Sequence, residues 1–182
     1  MSQDPSAADI IAFWKEAGPK KWWSKDEGLD AEIRERFFGR HSHAANGALD
    51  HWQDTAEGAL ALVLLLDQFS RNLFRETAHG WAFDRQGLAV AKRAIADGLD
   101  MEMDPDLRNF IYLPFMHSEV LADQRACLRH MERGGEEGNI KAALEHLDII
   151  ERFGRFPHRN VRLGRKTSLE EQAFLDGGGF KG

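Results

Sequence analysis

Apolar residues recur along the chain at steps of three and four, and the polar residues between them carry helix-start and helix-stop chemistry. Asp4-Pro5 or Ser6 opens a first helix to about Ala17, with Ser6 and Asp9 spaced as a capping box and Ile10, Ile11, Phe13 and Trp14 as its apolar face. Gly18-Pro19 stops it, and Lys20–Trp23 reads as a connector. Ser24 and Glu27 form a second capping-box pattern, opening a helix to about Asn46 with Ile33, Phe37 and Phe38 buried. A third helix starts at Asp54 or Thr55 and runs to Phe69 or Leu73. Within it Ala59–Leu66 is apolar on every side, the signature of a helix buried all round, and its Leu and Ala content argues against a strand. A fourth covers about Gly80 to Asp97. A fifth starts at Asp104-Pro105, kinks or restarts at Pro114, continues to about Arg133 and breaks at Gly134-Gly135. A sixth covers Asn139 to Phe153. A short last one, capped by Thr167 and Glu170, reaches Leu175. No strand or hairpin signal appears. The expectation is an all-α fold of six to seven helices in a single domain, residues 1–182, with a frayed tail at 177–182.

Composition changes this picture little. At 182 residues, 42% apolar and 30% charged, the chain fits one globular domain. One cysteine, Cys127, removes a disulfide framework or a cysteine-rich zinc site from consideration, and its apolar neighbours mark it as an inert buried thiol. The longest apolar run is eight residues, too short to span a bilayer, and the first residues, MSQDPSAADII, lack the basic and apolar regions of a signal peptide; both point to the cytoplasm.

Charge changes it more. Residues 152–166 hold five Arg and one Lys with no acid, while the rest of the chain carries 18 basic against 30 acidic groups, net −12. An acidic body with one basic strip argues against nucleic acid as a partner.

Three segments set charged and amide groups among apolar ones. In the first, Asp67, Arg71 and Arg75 share a helix face, with Gln68 and Asn72 in the adjacent row. Such arginines suit a carboxylate or phosphate; the plainer alternative is an Asp67–Arg71 structural ion pair. In the second, His117 and Glu119 follow Pro114 and could act as acid and base, or Glu119 could pair with Arg71, Arg75 or an arginine of the basic loop. In the third, His146 precedes a loop carrying Arg155, His158, Arg159 and Asn160, interleaved with Phe153 and Phe156. That loop could wrap an anion, or neutralise the acidic body around it. No metal motif is present: Glu76-x-x-His79 has no partner, and His41 and His43 are poorly spaced to chelate together. Nucleophile, phosphate-loop and dinucleotide motifs are missing as well, so no cofactor is expected.

LLLDQFSRNLFR (64–75), LPFMHSE (113–119) and DIIERFGRFPHRN (148–160), with FWKEAGPKKWWSKD (13–26), resemble marker segments of a bacterial and fungal family known as domain of unknown function 924. The resemblance spans nearly the whole chain. It implies an all-helical fold like the tetratricopeptide superhelix, and brings no established activity.

Two functions stay open. In the first, Arg71, Arg75, Arg155 and Arg159 hold an anionic small molecule that Asp67, Gln68, Asn72 and Asn160 help to orient, with His117, Glu119, His146 and His158 as acid/base candidates for hydrolysis. In the second, the helices form a non-catalytic module that holds a peptide. A third, purely structural reading makes the polar segments buried ion-pair networks. The sequence does not set the oligomeric state.

Overall fold

A computed structural model of the protein describes residues 4–133 and 136–182. The expected break at Gly134-Gly135 and the first three residues lie outside them. All regular structure among the described residues is helical. Among the described residues there are nine helices, rather than six to seven, counting the continuous run from Ala56 to Leu73 as one and leaving the 3-10 turns aside. The difference comes from Pro19–Trp22, which turns helical where a connector was expected, and from a clean break at 118–120 that splits the expected fifth helix. The chain divides into two compact units: residues through Arg75 with His79–Pro114, and Glu76–Ala78 with Phe115–Gly182.

The first unit begins with α1 (Ala7–Ala17) and α2 (Pro19–Trp22), joined at Gly18, whose φ of 74° suits glycine. The Ser6–Asp9 capping box forms as its spacing predicts. Next is α3 (Glu27–Ala45), capped by Asp26, which accepts from the Leu29 N–H at 2.9 Å. The cap is not Ser24, because that hydroxyl donates back to the Lys20 carbonyl at 2.7 Å.

Thr55 caps α4 (Ala56–Val63), which continues through a π-helical turn, Leu64–Phe69, into α5 (Ser70–Leu73). Every residue of Ala59–Leu66 is at most 2% exposed, so this helix forms the centre of the unit. Around it pack Phe13, Trp14, Phe37 and Phe69, ring to ring at 4.8–6.1 Å. The π turn widens the helix, and two carbonyls take side-chain donors there. Ser70 Oγ donates to Leu66 O and Arg71 Nη1 to Asp67 O, both at 2.7 Å.

At the start of this helix Gly58 lies under the carbonyl of Trp52. A Cβ there would stand 2.1 Å from that oxygen. Helix propensity alone would make Gly58→Ala stabilising by about 1 kcal/mol. The clash reverses the sign, and Gly58→Ala is expected to lose about 1–3 kcal/mol in a denaturant titration. A gain would show that the loop bearing Trp52 gives way freely.

The last full helix of this unit, α6 (Asp84–Ala96), starts four residues later than the pattern predicts, because Ala78–Trp81 closes a 3-10 turn in front of it. Asp104-Pro105 opens a turn and not a helix: the Asp104 carboxylate accepts from the Asp106 N–H at 3.0 Å and pairs with Lys15. The helix proper, α7 (Asn109–His117), begins at Asn109 and holds Pro114 in its interior without breaking.

The second unit holds α8 (Leu121–Glu132), α9 (Glu137–Phe153) and α10 (Leu169–Asp176). The break before α8 is stabilised by Gln124, which is fully buried and donates to the carbonyls of Met116 and Ser118, both at 2.6 Å. α8 and α9 pack antiparallel, with Arg125 early in one paired to Glu151 late in the other at 3.0 Å. Gly154, at φ 68°, ends α9. Ile149, Ile150 and Phe156 form the apolar centre, covered by Leu121, Phe153, Phe174 and Phe180. The capping box of α10 is Ser168 with Glu171, one residue beyond the expected pair. Cys127 is buried and its thiol is pushed up to about 12 by desolvation, in keeping with an inert role.

Candidate functional site

In the first unit, the candidate arginines are engaged by carboxylates of the chain itself. Asp67 is fully buried. Arg71 reaches it at 3.1 Å and reaches Asp84, on α6, also at 3.1 Å. Gln68 donates to the other Asp67 oxygen at 2.5 Å. Burial works against the Arg71 charge, and the two aspartates more than offset it, so its pKa is raised. Arg75 forms a two-point pair with Asp30 of α3, and Asn72 donates to the same carboxylate at 2.7 Å. The five residues chosen from this segment therefore fall into two adjoining networks, each completed by an aspartate that sequence spacing could not supply.

The second unit gathers the other candidates. Glu119 receives both Nη atoms of Arg165, at 2.6 and 2.9 Å, and the Phe156 N–H at 2.8 Å. Burial opposes its ionisation, but Arg165, the Phe156 N–H and Arg159 together hold the carboxyl below the usual range. Glu119 thus ties down the basic loop, as the basic-loop alternative foresaw. Arg155 makes a two-point pair with Glu171 at 2.6 and 2.9 Å. Arg155 first, then the Ser168 N–H and the Asn160 side chain, hold Glu171 down at about 2. His117 closes α7 and is half-buried.

Behind these pairs lies a group of rings. His146 projects from α9 and donates from Nδ1 to the Ala142 carbonyl at 2.8 Å, so its neutral form presents a lone pair at Nε2. Its ring centre is 5.4 Å from Phe156, and Phe156 is 5.7 Å from His158. Arg159 is buried with its guanidinium 4.7 Å from the centre of the Phe156 ring. Asn160 beside it is fully buried. Burial, then Arg159, His146 and Arg162 depress His158 to about 3, against the opposing pull of Glu119. The charges around His158 are mainly positive, and its imidazole is neutral at ordinary pH.

Sequence reasoning passed over several residues. His41 is 2% exposed and meets Ser70 Oγ at 2.8 Å. Because that hydroxyl already donates to Leu66 O, it accepts from His41 Nε2–H. Burial, with His79 nearby, pushes His41 down to about 4. The spacing Ile33, Phe37, His41 carried the signal, since His41 continues a buried stripe by one more helical turn. Asp30, Asp84, Glu171 and Phe180 had no such signal, and Arg165 was marked only as one of the arginines of the basic strip. Among the described residues no group of three or more His, Cys, Asp or Glu is placed to hold a metal ion, and no helix is long and apolar enough to cross a membrane.

Comparison with known proteins agrees on the fold and is silent on chemistry. The structure of a protein of unknown function from Agrobacterium tumefaciens, ATU0120, matches with a TM-score of 0.91 at 48% identity, over 94% of this chain and 97% of that one. No curated protein matches. Residues 10–179 match the family described as bacterial protein of unknown function, DUF924, and the chain belongs to that family.

Proposed function

We propose that the protein binds a small carboxylate- or phosphate-bearing molecule at the ring cluster of its second unit. The observation that carries this reading is the buried Arg159 guanidinium laid over Phe156, the ring that His146 and His158 both adjoin. Arg159 would supply the charge, and its stacking on the ring fixes its plane before a ligand arrives. Asn160 and the imidazoles would add directional contacts. His146 and His158 would also be the proton acceptors if the bound molecule is hydrolysed. Glu119 and Arg155 serve in this reading as anchors of the loop. Asp67, Gln68, Arg71, Asn72 and Arg75 hold the first unit together, which their internal carboxylate partners support.

Calorimetric titration of the full chain with inorganic phosphate and with acetate tests this. Saturable binding of one of them is expected, weakened about tenfold or more in Arg159→Gln, the loss of one charge-assisted contact. Equal affinity in both proteins, with Arg159→Gln folded by circular dichroism, would remove the site.

A second reading is a tetratricopeptide-like module that holds a peptide, supported by the antiparallel pairing of α8 with α9.

A further inference from the structure

The ring cluster is occupied by the chain's own tail. Phe180 sits edge-to-face against both imidazoles, 4.5 Å from the centre of His146 and 5.2 Å from that of His158. Gly182 follows so closely that a Cβ built on it would lie 3.0 Å from His158 Cδ2. Phe156, at the back of the cluster, is fully buried, whereas Phe180 at the front is half-buried. The tail reaches this position through Gly177, Gly178 and Gly179, where the Gly179 N–H donates to the Phe174 carbonyl at 2.9 Å.

We propose that the anion bound by the second unit carries an aromatic ring, and that Phe180 stands in that ring's place until the ligand displaces it. The inference rests on the anion-binding reading above and names its ligand class: arylalkanoates, or small phosphates bearing an aromatic group.

Three features support it. Phe156, His146 and His158 present rings in the tilted and edge-on geometries that aromatic groups prefer, so the slot favours a flat ring over an aliphatic chain. Arg159 lies over Phe156, and Phe180 packs against the apolar cluster that contains this ring, so a cation belongs to the same cluster as the slot's occupant. The occupant hangs on a run of glycines, so leaving the slot requires no helix to unwind. An internal competitor of this kind lowers the apparent affinity of a true ligand by the fraction of molecules in which the slot is open.

The experiment compares 3-phenylpropionate with propionate on the full chain, in wild type, Phe180→Ala and Phe180→Leu, by calorimetry and by the imidazole signals in NMR. The aromatic acid is expected to bind wild type about tenfold tighter than propionate. Phe180→Ala is expected to tighten the aromatic acid by a further tenfold or so while leaving propionate nearly unchanged. Phe180→Leu keeps an apolar cover; it should show a smaller gain in the same direction, and decides the matter if the alanine variant does not fold. A ratio near one between the two acids, or no gain in either variant, would overturn the inference while leaving the anion site standing. Binding of neither acid, nor of phosphate, in any variant would remove both.

Discussion

Arg71→Met is expected to cost about 3–5 kcal/mol, the penalty for removing one partner from a buried ion pair. For a chain of this length that corresponds to a fall in Tm of roughly 6–20 °C. The reason lies in what stays behind. Asp67 has no exposure, and without Arg71 it must either keep its charge in an apolar helix or take up a proton. Asp84 loses the same guanidinium, and the Asp67 carbonyl in the π turn loses its side-chain donor. Asp67→Asn combined with Arg71→Met should recover part of the loss, because the buried carboxylate is then gone. Denaturant titration of the single and double variants checks this. A single-variant loss below about 1 kcal/mol, the range of exposed pairs, would show that the pair is a surface contact and that Asp67 is solvated.

Acid will destabilise the protein well before its carboxylates titrate. In the fold His41 is pushed to about 4 and His158 to about 3, each from an ordinary value of 6.5. Once the pH drops below the ordinary value, the unfolded chain takes up protons that the folded chain refuses. Stability is therefore complete above that value and is lost progressively as the pH falls towards the folded pKa. For His41, 2% exposed, the loss amounts to about 3 kcal/mol by the time its folded pKa is reached. Glu171 adds a separate leg of the same sign at lower pH. Its folded pKa is lowered to about 2 from 4.5, so its contribution is present above 4.5 and disappears as the pH falls through the lower value. Unfolding free energy measured from about pH 8 down to about pH 4 should slope downward in wild type and less steeply in His41→Leu. His41→Leu keeps the Ser70 bond to Leu66 O and is expected to fold. A flat profile above about pH 5 would mean that His41 meets water in the fold.

Much of the helical frame was legible in the residues. Ala59–Leu66 announced a buried central helix because no face of it is polar, and Ser6 with Asp9 announced the first helix because each satisfies the other's orphan backbone group. Where two chemically equivalent caps stand a residue or two apart, the sequence could not choose. Ser24 and Asp26 both suit the start of α3, and the choice was made by the Lys20 carbonyl, which takes the serine hydroxyl. Pro114 predicts a kink or a restart, and α7 runs through it without a break. The break falls four residues on, where buried Gln124 fixes the exposed carbonyls, a contact that exists only after folding.

The polar segments were visible for the same reason as the helices: charge in an apolar stretch demands a partner. Asp67–Arg71, four residues apart, could be read directly. Arg75–Asp30 and Glu119–Arg165 join residues 45 and 46 positions apart, and nothing local points from one to the other. Phe180 was invisible as a site residue, since a phenylalanine among glycines carries no pattern.

The most direct test of the anion site is a titration of His146 and His158 by proton–carbon NMR, with and without inorganic phosphate. The account predicts that His158 stays neutral down to about 4 in the free protein, and that phosphate moves its titration upward while the signal of His79, in the first unit, is unchanged. A His158 titrating near its ordinary value, with phosphate leaving it and His146 where they were, would contradict it.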